Sequence, residues 1–369
     1  MRFVIFLLCL STLYAQSIGV DSHIDTVQRI LFDQANLAER SPVGHVDIPR
    51  LREGGVNAPF FALWVPTYYK GAEAVRRTLD LRDAMQRLLD THPEMIALAG
   101  NAADVERLTK ARRIAAILTI EGGHQIDNDL AVLRMYYRLG VRSMTLTHFR
   151  NTDWADSSTD KPAHNGLTDF GKEVVREMNR LGMIVDVSHV SDKTFYDVLA
   201  VTTKPVIASH SSCRALCDVP RNMTDEMIQA LAKNGGVIAI NFGFLSAQDA
   251  DAMKTAIASM VYNEPALTGK ALDQYAAEEF KKESVPTPTA ATLDDAVAHI
   301  DHAVKVGGID HVGIGSDFDG ITTVPKGLED ISKMPALKAA LRQKGYSDVD
   351  IAKIFGGNTL RVLREVTGK

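Results

Sequence analysis

The sequence is poor in the features that mark several classes of protein. Its 369 residues contain three cysteines, Cys9, Cys213 and Cys217, too few for a disulfide-stabilised scaffold or a cysteine-rich zinc site. It has no long basic block, and its formal net charge is -5, so neither nucleic acid nor an anionic membrane surface is an expected partner. These absences favour a protein with a large core that acts on a small molecule.

An apolar run lies at the very start of the chain. Arg2 is followed by apolar residues up to Leu10 and then by small residues near Ala15. This pattern predicts a secretory signal peptide over residues 1–15 and a mature protein that is soluble and exported, periplasmic or extracellular. A buried N-terminal strand or helix, or a retained membrane anchor, is the alternative. No later run is long enough to span a bilayer.

Short apolar runs alternate with amphipathic segments along the rest of the chain. Their Val, Ile, Leu and Ala content is typical of parallel strands that are buried on both faces. Eight runs are predicted as strands: 17–20, 58–65, 114–120, 143–147, 183–187, 205–209, 237–241 and 312–316. Eight strands that alternate with helices indicate a single (β/α)8 TIM barrel over residues 16–369, with an open doubly wound sheet as the alternative.

One connection breaks this alternation. Residues 244–293 follow the seventh predicted strand, are rich in alanine and charged residues, and contain Pro286 and Pro288. A connection of this length is expected to be a lid, an insert that shapes the substrate site, or a contact between subunits.

Histidines and acids end six of the eight predicted strands. Function in a (β/α)8 barrel collects at the carboxyl ends of the strands, where side chains of different strands meet. The residues at these ends are His23 and Asp25, Glu121, His148, His189, His210 and Asp317. One histidine at a strand end is usually an ordinary polar residue, but four of the eleven histidines at such ends predict a common site.

These side chains match the needs of two zinc ions. Catalytic zinc takes about three nitrogen or oxygen ligands from the protein. His23 and Asp25 are predicted ligands of the first ion. His189 and His210 are predicted ligands of the second, and Glu121 would bridge both through its two carboxylate oxygens. A water or hydroxide shared by the two ions would be the nucleophile.

Two residues of the set remain for catalysis. His148 is predicted to donate a hydrogen bond to a developing oxyanion. Asp317 is predicted to move protons between water and the leaving group, with a solvated loop carboxylate as the alternative.

Together with these residues, several short motifs resemble the membrane dipeptidase (renal dipeptidase) family of zinc metallopeptidases. They are Glu-Gly-Gly-His at 121–124, Leu-Thr-His at 146–148, Trp-Ala-Asp at 154–156, His-Val-Ser at 189–191, Ser-His-Ser-Ser at 209–212, Arg-Asn at 221–222 and Asp-Phe-Asp-Gly at 317–320. The resemblance runs from about residue 21 to residue 366. It implies a barrel of the metal-dependent hydrolase type that cleaves dipeptides with two zinc ions.

The resemblance also implies roles that the strand ends did not assign. Arg221 would hold the C-terminal carboxylate of a dipeptide in a bidentate pair, and Asn222 belongs to the same substrate-binding motif. Members of the family accept a C-terminal D-residue, open some β-lactams and often form homodimers, so these properties are compatible with this chain. Mammalian members carry a substrate-contacting tyrosine where this chain has Gly243, and its long insert resembles bacterial members instead.

Two other functions remain open. Another binuclear-metal amidohydrolase, such as an N-acyl amino acid deacylase or a phosphotriesterase-like enzyme, commonly begins with His-x-His and bridges its metals through a carbamylated lysine. This chain has His23-x-Asp25 and Glu121 instead. A non-catalytic binding protein is the second alternative, but every expected ligand and catalytic position is filled.

Overall fold

Nine parallel strands form one sheet at the centre of the computed structural model, which describes residues 17–262, 265–283 and 289–368. The strands are β1 (Val20–Ile24), β2 (Ala58–Trp64), β3 (Ile96–Leu98), β4 (Ile114–Glu121), β5 (Val141–Thr145), β6 (Ile184–Asp186), β7 (Ile207–Ser211), β8 (Val237–Ile240) and β9 (Val312–Ile314). Eight of them follow the order β1-β2-β4-β5-β6-β7-β8-β9, and β3 pairs with β4 off this path. The predicted signal peptide and the two insert prolines lie outside the described residues.

The sheet closes on itself at the carboxyl end of β1. Asp317 donates its backbone N–H to the carbonyl of His23 (3.1 Å), and Asp25 donates to the carbonyl of Phe318 (2.9 Å). The residues that follow β9 therefore pair with β1, and the eight strands form a barrel. This confirms the predicted (β/α)8 fold, and it places the closing contacts beside two of the predicted metal ligands.

Helices alternate with the strands and cover the barrel. They are α1 (Val27–Phe32), α2 (Ile48–Gly54), α3 (Ala72–Thr91), α4 (Ala102–Lys110), α5 (Leu130–Arg138), α6 (Asp169–Leu181), α7 (Asp192–Val201), α8 (Asp225–Lys233), α9 (Ala250–Tyr262), α10 (Gly269–Glu283), α11 (Leu293–Gly307), α12 (Met334–Lys344), α13 (Asp348–Ala352) and α14 (Asn358–Thr367). Several begin at a side chain that accepts a backbone N–H, such as Thr168 before α6 and Thr224 before α8. In the described part of the chain no helix has the length and apolar character needed to cross a membrane.

Seven of the eight predicted strands lie within two residues of the observed strands at each end. The first prediction, residues 17–20, is wrong by several residues, because β1 extends over Asp21, Ser22 and His23. These polar residues are fully buried inside the barrel, where the hydroxyl of Ser22 donates to the carbonyl of Ser209 and Oδ1 of Asp21 accepts the N–H of Ser316. Strand β3 was not predicted, since three residues are too few to show a period.

The predicted insert contains the two helices α9 and α10. Helix α9 packs its residue Met253 against Cys217 and Phe244, next to the strand ends. Helix α10 lies over α1 and α3, where Asp273 accepts hydrogen bonds from Tyr69 (2.9 Å) and Arg76 (2.8 Å). The insert is therefore bound to the barrel on two sides.

Candidate active site

The five predicted metal ligands meet at one rim of the barrel, and we call them the metal cluster. His23 lies in β1 and Asp25 just after it, Glu121 ends β4, His189 follows β6, and His210 lies in β7. None of the five is more than 4% exposed. Side chains from four strands are therefore brought together at a buried place, as the pattern of strand ends predicted.

Glu121 lies at the centre of the metal cluster. Its Oε2 is 3.3 Å from Nε2 of His23, which is itself 3.3 Å from Oδ2 of Asp25. Its Oε1 is 3.0 Å from Nε2 of His189 and 3.2 Å from Nε2 of His210. The two carboxylate oxygens thus face two separate pairs of side chains, which is the arrangement that a carboxylate bridging two cations requires.

Several polar atoms of the metal cluster lack a hydrogen-bond partner among the described residues. They are both ring nitrogens of His23, Oδ1 of Asp25 and Nδ1 of His189. In addition, Nε2 of His189 and Nε2 of His210 point at each other across 2.8 Å. Buried polar atoms are normally paired, and imidazole nitrogen with carboxylate oxygen is the donor set that zinc binds. The residues present therefore fit a centre of divalent cations.

The charges of the cluster lead to the same conclusion. Burial raises the pKa of Asp25 to about 6 and that of Asp317 to about 7, and it raises the pKa of Glu121 as well, because buried carboxylates lose their solvation. Burial alone would lower the pKa of His23, but the charges of Glu121 and Asp25 outweigh it and hold this pKa well above its usual value. A site that attracts a proton so strongly also attracts a metal cation.

The other imidazoles of the site are neutral. Burial, reinforced by nearby cationic groups such as Arg221, holds the pKa of His148, His189 and His210 well below the usual value. Neutral imidazole is the form that binds a metal or accepts a proton. All three side chains are therefore in the state that their predicted roles require.

His148 and Asp317, the predicted catalytic residues, lie within reach of the metal cluster. The ligand atoms of His148, Glu121 and His189 lie within 4.8 Å of one another, and so do those of Asp317, His23 and Asp25. Nε2 of His148 is 3.7 Å from Oε1 of Glu121. Both side chains are more than nine-tenths buried, so they share a dry site with the cluster.

Asp186 is a further acid at this rim that the sequence did not assign. It forms a third group of possible metal ligands with His23 and His210, again within 4.8 Å. Its oxygens, however, accept hydrogen bonds from the backbone of Ser188 (3.0 Å) and Ser209 (3.1 Å) and from the hydroxyl of Thr145 (3.1 Å). We therefore assign Asp186 to holding β5, β6 and β7 together. The sequence signal that could have identified it was an acid among the apolar residues of the predicted strand 183–187.

Arg221 lies in a loop that follows β7, and its side chain contacts the backbone of His210. Its Nη2 donates to the carbonyl of His210 (3.0 Å), and its guanidinium lies 5.3 Å from the ring centre of Phe244. Nε has no hydrogen-bond partner in the described part of the chain, and the residue is only 2% exposed. Burial lowers the pKa of Arg221 to about 10, so it stays charged at neutral pH. A buried cation with a free N–H can receive an anionic group of a substrate.

Asn222, for which the family resemblance implies a place in the substrate-binding motif, is hydrogen-bonded to the backbone around it. Its Oδ1 accepts the N–H of Ser212 (3.0 Å), and its Nδ2 donates to the carbonyls of Cys217 (2.9 Å) and Phe244 (3.0 Å). These bonds hold the loop that carries Arg221.

Known proteins are similar to this chain over most of its length. The family described as membrane dipeptidase (Peptidase family M19) matches residues 9–368. Dipeptidase tcpJ of Claviceps purpurea is 38% identical over 333 residues, which are 88% of this chain and 69% of that protein.

Solved structures of metallopeptidases share the fold. The dipeptidase AC, a metallopeptidase of family M19, has a TM-score of 0.79 and 27% identity, and the match covers 96% of this chain and 100% of that one. A metallopeptidase from Rhodobacter sphaeroides, liganded with a phosphinate mimic of the dipeptide L-Ala-D-Ala, has a TM-score of 0.78 and 26% identity, over 95% of this chain and 99% of that one.

Proposed function

The chain belongs to the membrane dipeptidase family, peptidase family M19, and is a metallo-dipeptidase; on this premise we propose that it uses two zinc ions to hydrolyse dipeptides. The observation that carries the proposal is the position of Glu121, whose two oxygens face two different pairs of side chains. The five residues of the metal cluster would hold the two ions. Zinc supplies Lewis acidity, which lowers the pKa of water and polarises a carbonyl group.

Asp317 would transfer protons during the reaction, and His148 would stabilise the negative charge that develops on the substrate. The carboxylate of Asp317 is buried beside the metal cluster, so it would take a proton from water and return it to the leaving amine. The neutral imidazole of His148 would donate its N–H to the oxygen that becomes negative during attack on the peptide carbonyl.

Arg221 would select the substrate by its carboxylate. Its guanidinium contacts the backbone of His210, so an anion bound there lies next to the metal cluster. A carboxylate at this place belongs to the residue that directly follows the scissile bond, which favours dipeptides over longer chains. The mimic of L-Ala-D-Ala bound by the Rhodobacter sphaeroides relative supports substrates with a C-terminal D-residue.

A hydrolysis panel with the zinc-loaded protein tests the proposal. We expect cleavage of L-Ala-L-Ala and L-Ala-D-Ala, and no cleavage of Ala-Ala-Ala. N-acetyl-L-alanine and a phosphotriester test the alternative amidohydrolase functions. Turnover of either with no cleavage of any dipeptide would contradict the proposed function. Two zinc ions per chain in the wild type, and loss of both in Glu121→Gln, would support the bridging role.

Two variants separate chemistry from binding. Asp317→Asn should retain both metal ions while kcat falls by about a thousandfold, since proton transfer contributes 10²–10⁴-fold. Arg221→Ala should raise KM for dipeptides by at least about tenfold, because a charge-assisted pair is lost. Arg142→Ala is the control, since Arg142 contacts the backbone of Gly100 and Tyr137 at the other end of its strand. Loss of zinc in the first variant, or an unchanged KM in the second, would reverse these assignments.

We also propose that the protein is exported to the periplasm or the medium after removal of residues 1–15, and that it can form a homodimer. The N-terminal pattern and the family resemblance support these points. N-terminal sequencing of the secreted protein, with Gln16 as the expected first residue, and sedimentation of the purified protein test them.

A further inference from the structure

Asn241 stands directly after β8, one of the two barrel strands that end without a histidine or an acid. Its side chain is fully buried. Nδ2 donates to Oδ2 of Asp317 (2.8 Å) and lies 3.5 Å from the carbonyl of His210. Oδ1 accepts the backbone N–H of Gly243. Asn241 thus joins the predicted proton carrier, a predicted metal ligand and the start of the insert.

The orientation of this amide follows from its partners. The N–H of Gly243 can only donate, so the atom of Asn241 that faces it must be the oxygen. The NH2 group is then fixed on the side of Asp317, where it can only donate. A donor held against Oδ2 of Asp317 disfavours a proton on that oxygen and leaves Oδ1 as the atom that can carry one.

Oδ1 of Asp317 faces the metal cluster. A Cβ atom added at Gly320 would lie 2.6 Å from Oδ1 of Asp317 and closer still to Oδ2 of Asp25. The two oxygens therefore border the same small space. The oxygen that Asn241 leaves free is the one beside a predicted metal ligand.

We propose that Asn241 is a positioning residue for peptide hydrolysis, because its amide holds Oδ2 of Asp317 and so makes Oδ1 the atom that exchanges protons with water and with the leaving amine. The proposal rests on the proposed dipeptidase function. It also gives the eighth strand of the sheet a role in the reaction, although no charged or metal-binding residue stands at its end.

The alternative is that Asn241 only satisfies buried backbone groups. If Asn241 had only this structural role, its substitution would lower stability without changing the rate of proton transfer by Asp317. Asn358 provides the matched control, because it is equally buried and its Nδ2 donates to the carbonyls of Ile309 and Val312 (2.8 Å each) without contacting the metal cluster.

Steady-state kinetics on L-Ala-D-Ala with zinc-loaded protein tests the proposal. Asn241→Ala should keep two zinc ions per chain and a KM within about twofold, while kcat falls by about a hundredfold, as when a positioned donor is removed. The solvent deuterium isotope effect on kcat should rise, since proton transfer becomes slower. Asn358→Ala should lose stability and keep both kinetic values. Asn241→Leu, which has nearly the same shape and no donor, should show the same fall in kcat and serves as the test if Asn241→Ala folds poorly.

A double-mutant cycle with Asp317→Asn decides whether Asn241 acts through Asp317. In the Asp317→Asn protein, Asn241→Ala should lower kcat by less than about twofold, because the group that it positions is already disabled. An equal loss of kcat in both backgrounds, or a kcat near the wild-type value in Asn241→Ala and Asn241→Leu, would overturn the proposal. Absence of cleavage by the wild-type protein would instead overturn the proposed function itself.

Discussion

Three residues, one in the metal cluster and two just after β9, have a backbone conformation that side chains rarely adopt. His189, Asp317 and Asp319 have φ angles of 68°, 64° and 66°. Each such residue costs about 1 kcal/mol or more, so the surrounding structure must hold it. Asp317 is held by its N–H bond to the carbonyl of His23, and Asp319 by its N–H bond to Nδ1 of His45 (3.0 Å). The barrel thus accepts local strain at His189, a predicted metal ligand, and at Asp317, which we assign to catalysis.

Gly320 is required for these carboxylates to come together. A Cβ at this position would lie between Oδ2 of Asp25 and Oδ1 of Asp317, with 2.6 Å to the latter. We predict that Gly320→Ala displaces both carboxylates and lowers zinc affinity by about ten- to a hundredfold, the range found when groups that orient metal ligands are lost. Competition with a zinc chelator measures this effect, and kcat should fall with it.

Gly345→Ala is a suitable control for Gly320→Ala. Gly345 has a φ of 106° and no atom within 4 Å of an added Cβ, so the substitution introduces backbone strain alone, about 1 kcal/mol of unfolding free energy. Zinc affinity should not change. Equal zinc affinities in the Gly320 variant and the wild type would show that the carboxylates have room to move.

The buried side chain of His299 should make the stability of the protein depend on pH. Cys213 donates its N–H to Nδ1 (3.0 Å), so Nε2 carries the proton and donates to the carbonyl of Leu245 (3.0 Å). Burial lowers the pKa of His299 from 6.5 to about 4. Below pH 6.5 His299 binds a proton in the unfolded chain but stays neutral in the folded chain. The free energy of unfolding therefore falls as the pH drops from 6.5 to 4. This difference corresponds to about 3 kcal/mol.

Urea unfolding of the wild type and His299→Gln at pH 7.5 and 4.5 measures this contribution. The amide of glutamine can still donate toward Leu245 but does not titrate. We expect the variant to be less stable at pH 7.5 and to lose about 2 kcal/mol less than the wild type on acidification. Equal losses in the two proteins would show that His299 does not contribute.

The sequence predicted the residues that are chemically conspicuous and missed those that work through neutral hydrogen bonds. Histidines and acids at strand ends stand out, so the metal cluster, His148 and Asp317 could be predicted. Asn241 could not, because an asparagine after a strand is usually part of a turn. Its role depends on a contact with Asp317, 76 residues away in the chain, that only the closed barrel creates.

Among the elements, β1 shows why strand boundaries near a site are hard to predict. Its residues Asp21, Ser22 and His23 are polar, so they read as a loop, yet they are buried in the barrel. Ser22 donates to the carbonyls of Ser209 (2.7 Å) and Ile314 (2.9 Å), which compensates for its burial. Strands β2 and β4 are apolar along almost their whole length and were predicted well, although β4 ends in Glu121.

The two helices of the insert, α9 and α10, are predicted to affect the enzyme differently. Met253 in α9 packs in the same cluster as Phe244, over whose ring the guanidinium of Arg221 lies. We predict that Met253→Ala loosens this support and raises KM for dipeptides about fivefold with little change in kcat, since displaced binding groups act mainly on KM. Steady-state kinetics with zinc-loaded protein measures the effect.

Leu272→Ala in α10 is the matched control for Met253→Ala. Leu272 is 1% exposed and packs on the main core, away from the cluster that contains Phe244. This variant should lose about 2 to 3 kcal/mol of stability through the cavity that it creates, with KM unchanged. If both variants changed KM equally, the two helices would act on the site as one unit.

For the whole molecule, the metal cluster lies where the barrel closes. Its residues lie in or just after β1, β4, β6 and β7, and the backbone bonds that join β1 to the residues after β9 involve His23 and Asp25. Two cations bound there would connect strands from opposite sides of the barrel. Without them, Asp25, Glu121 and Asp317 are close carboxylates in a buried place, as their raised pKa values show.

Removal of zinc should therefore lower the stability of the entire barrel. At a zinc concentration a thousand times Kd, binding at one site adds about 4 kcal/mol, or about 5 °C in Tm for a domain of this size. We expect a chelator to lower the Tm of the wild type by this amount in a thermal scan. Glu121→Gln should show less than half of the shift, and its chelated form should be at least as stable as the chelated wild type, because one buried carboxylate is gone. Identical Tm values of the wild type with zinc and with chelator would show that the ions do not connect the strands.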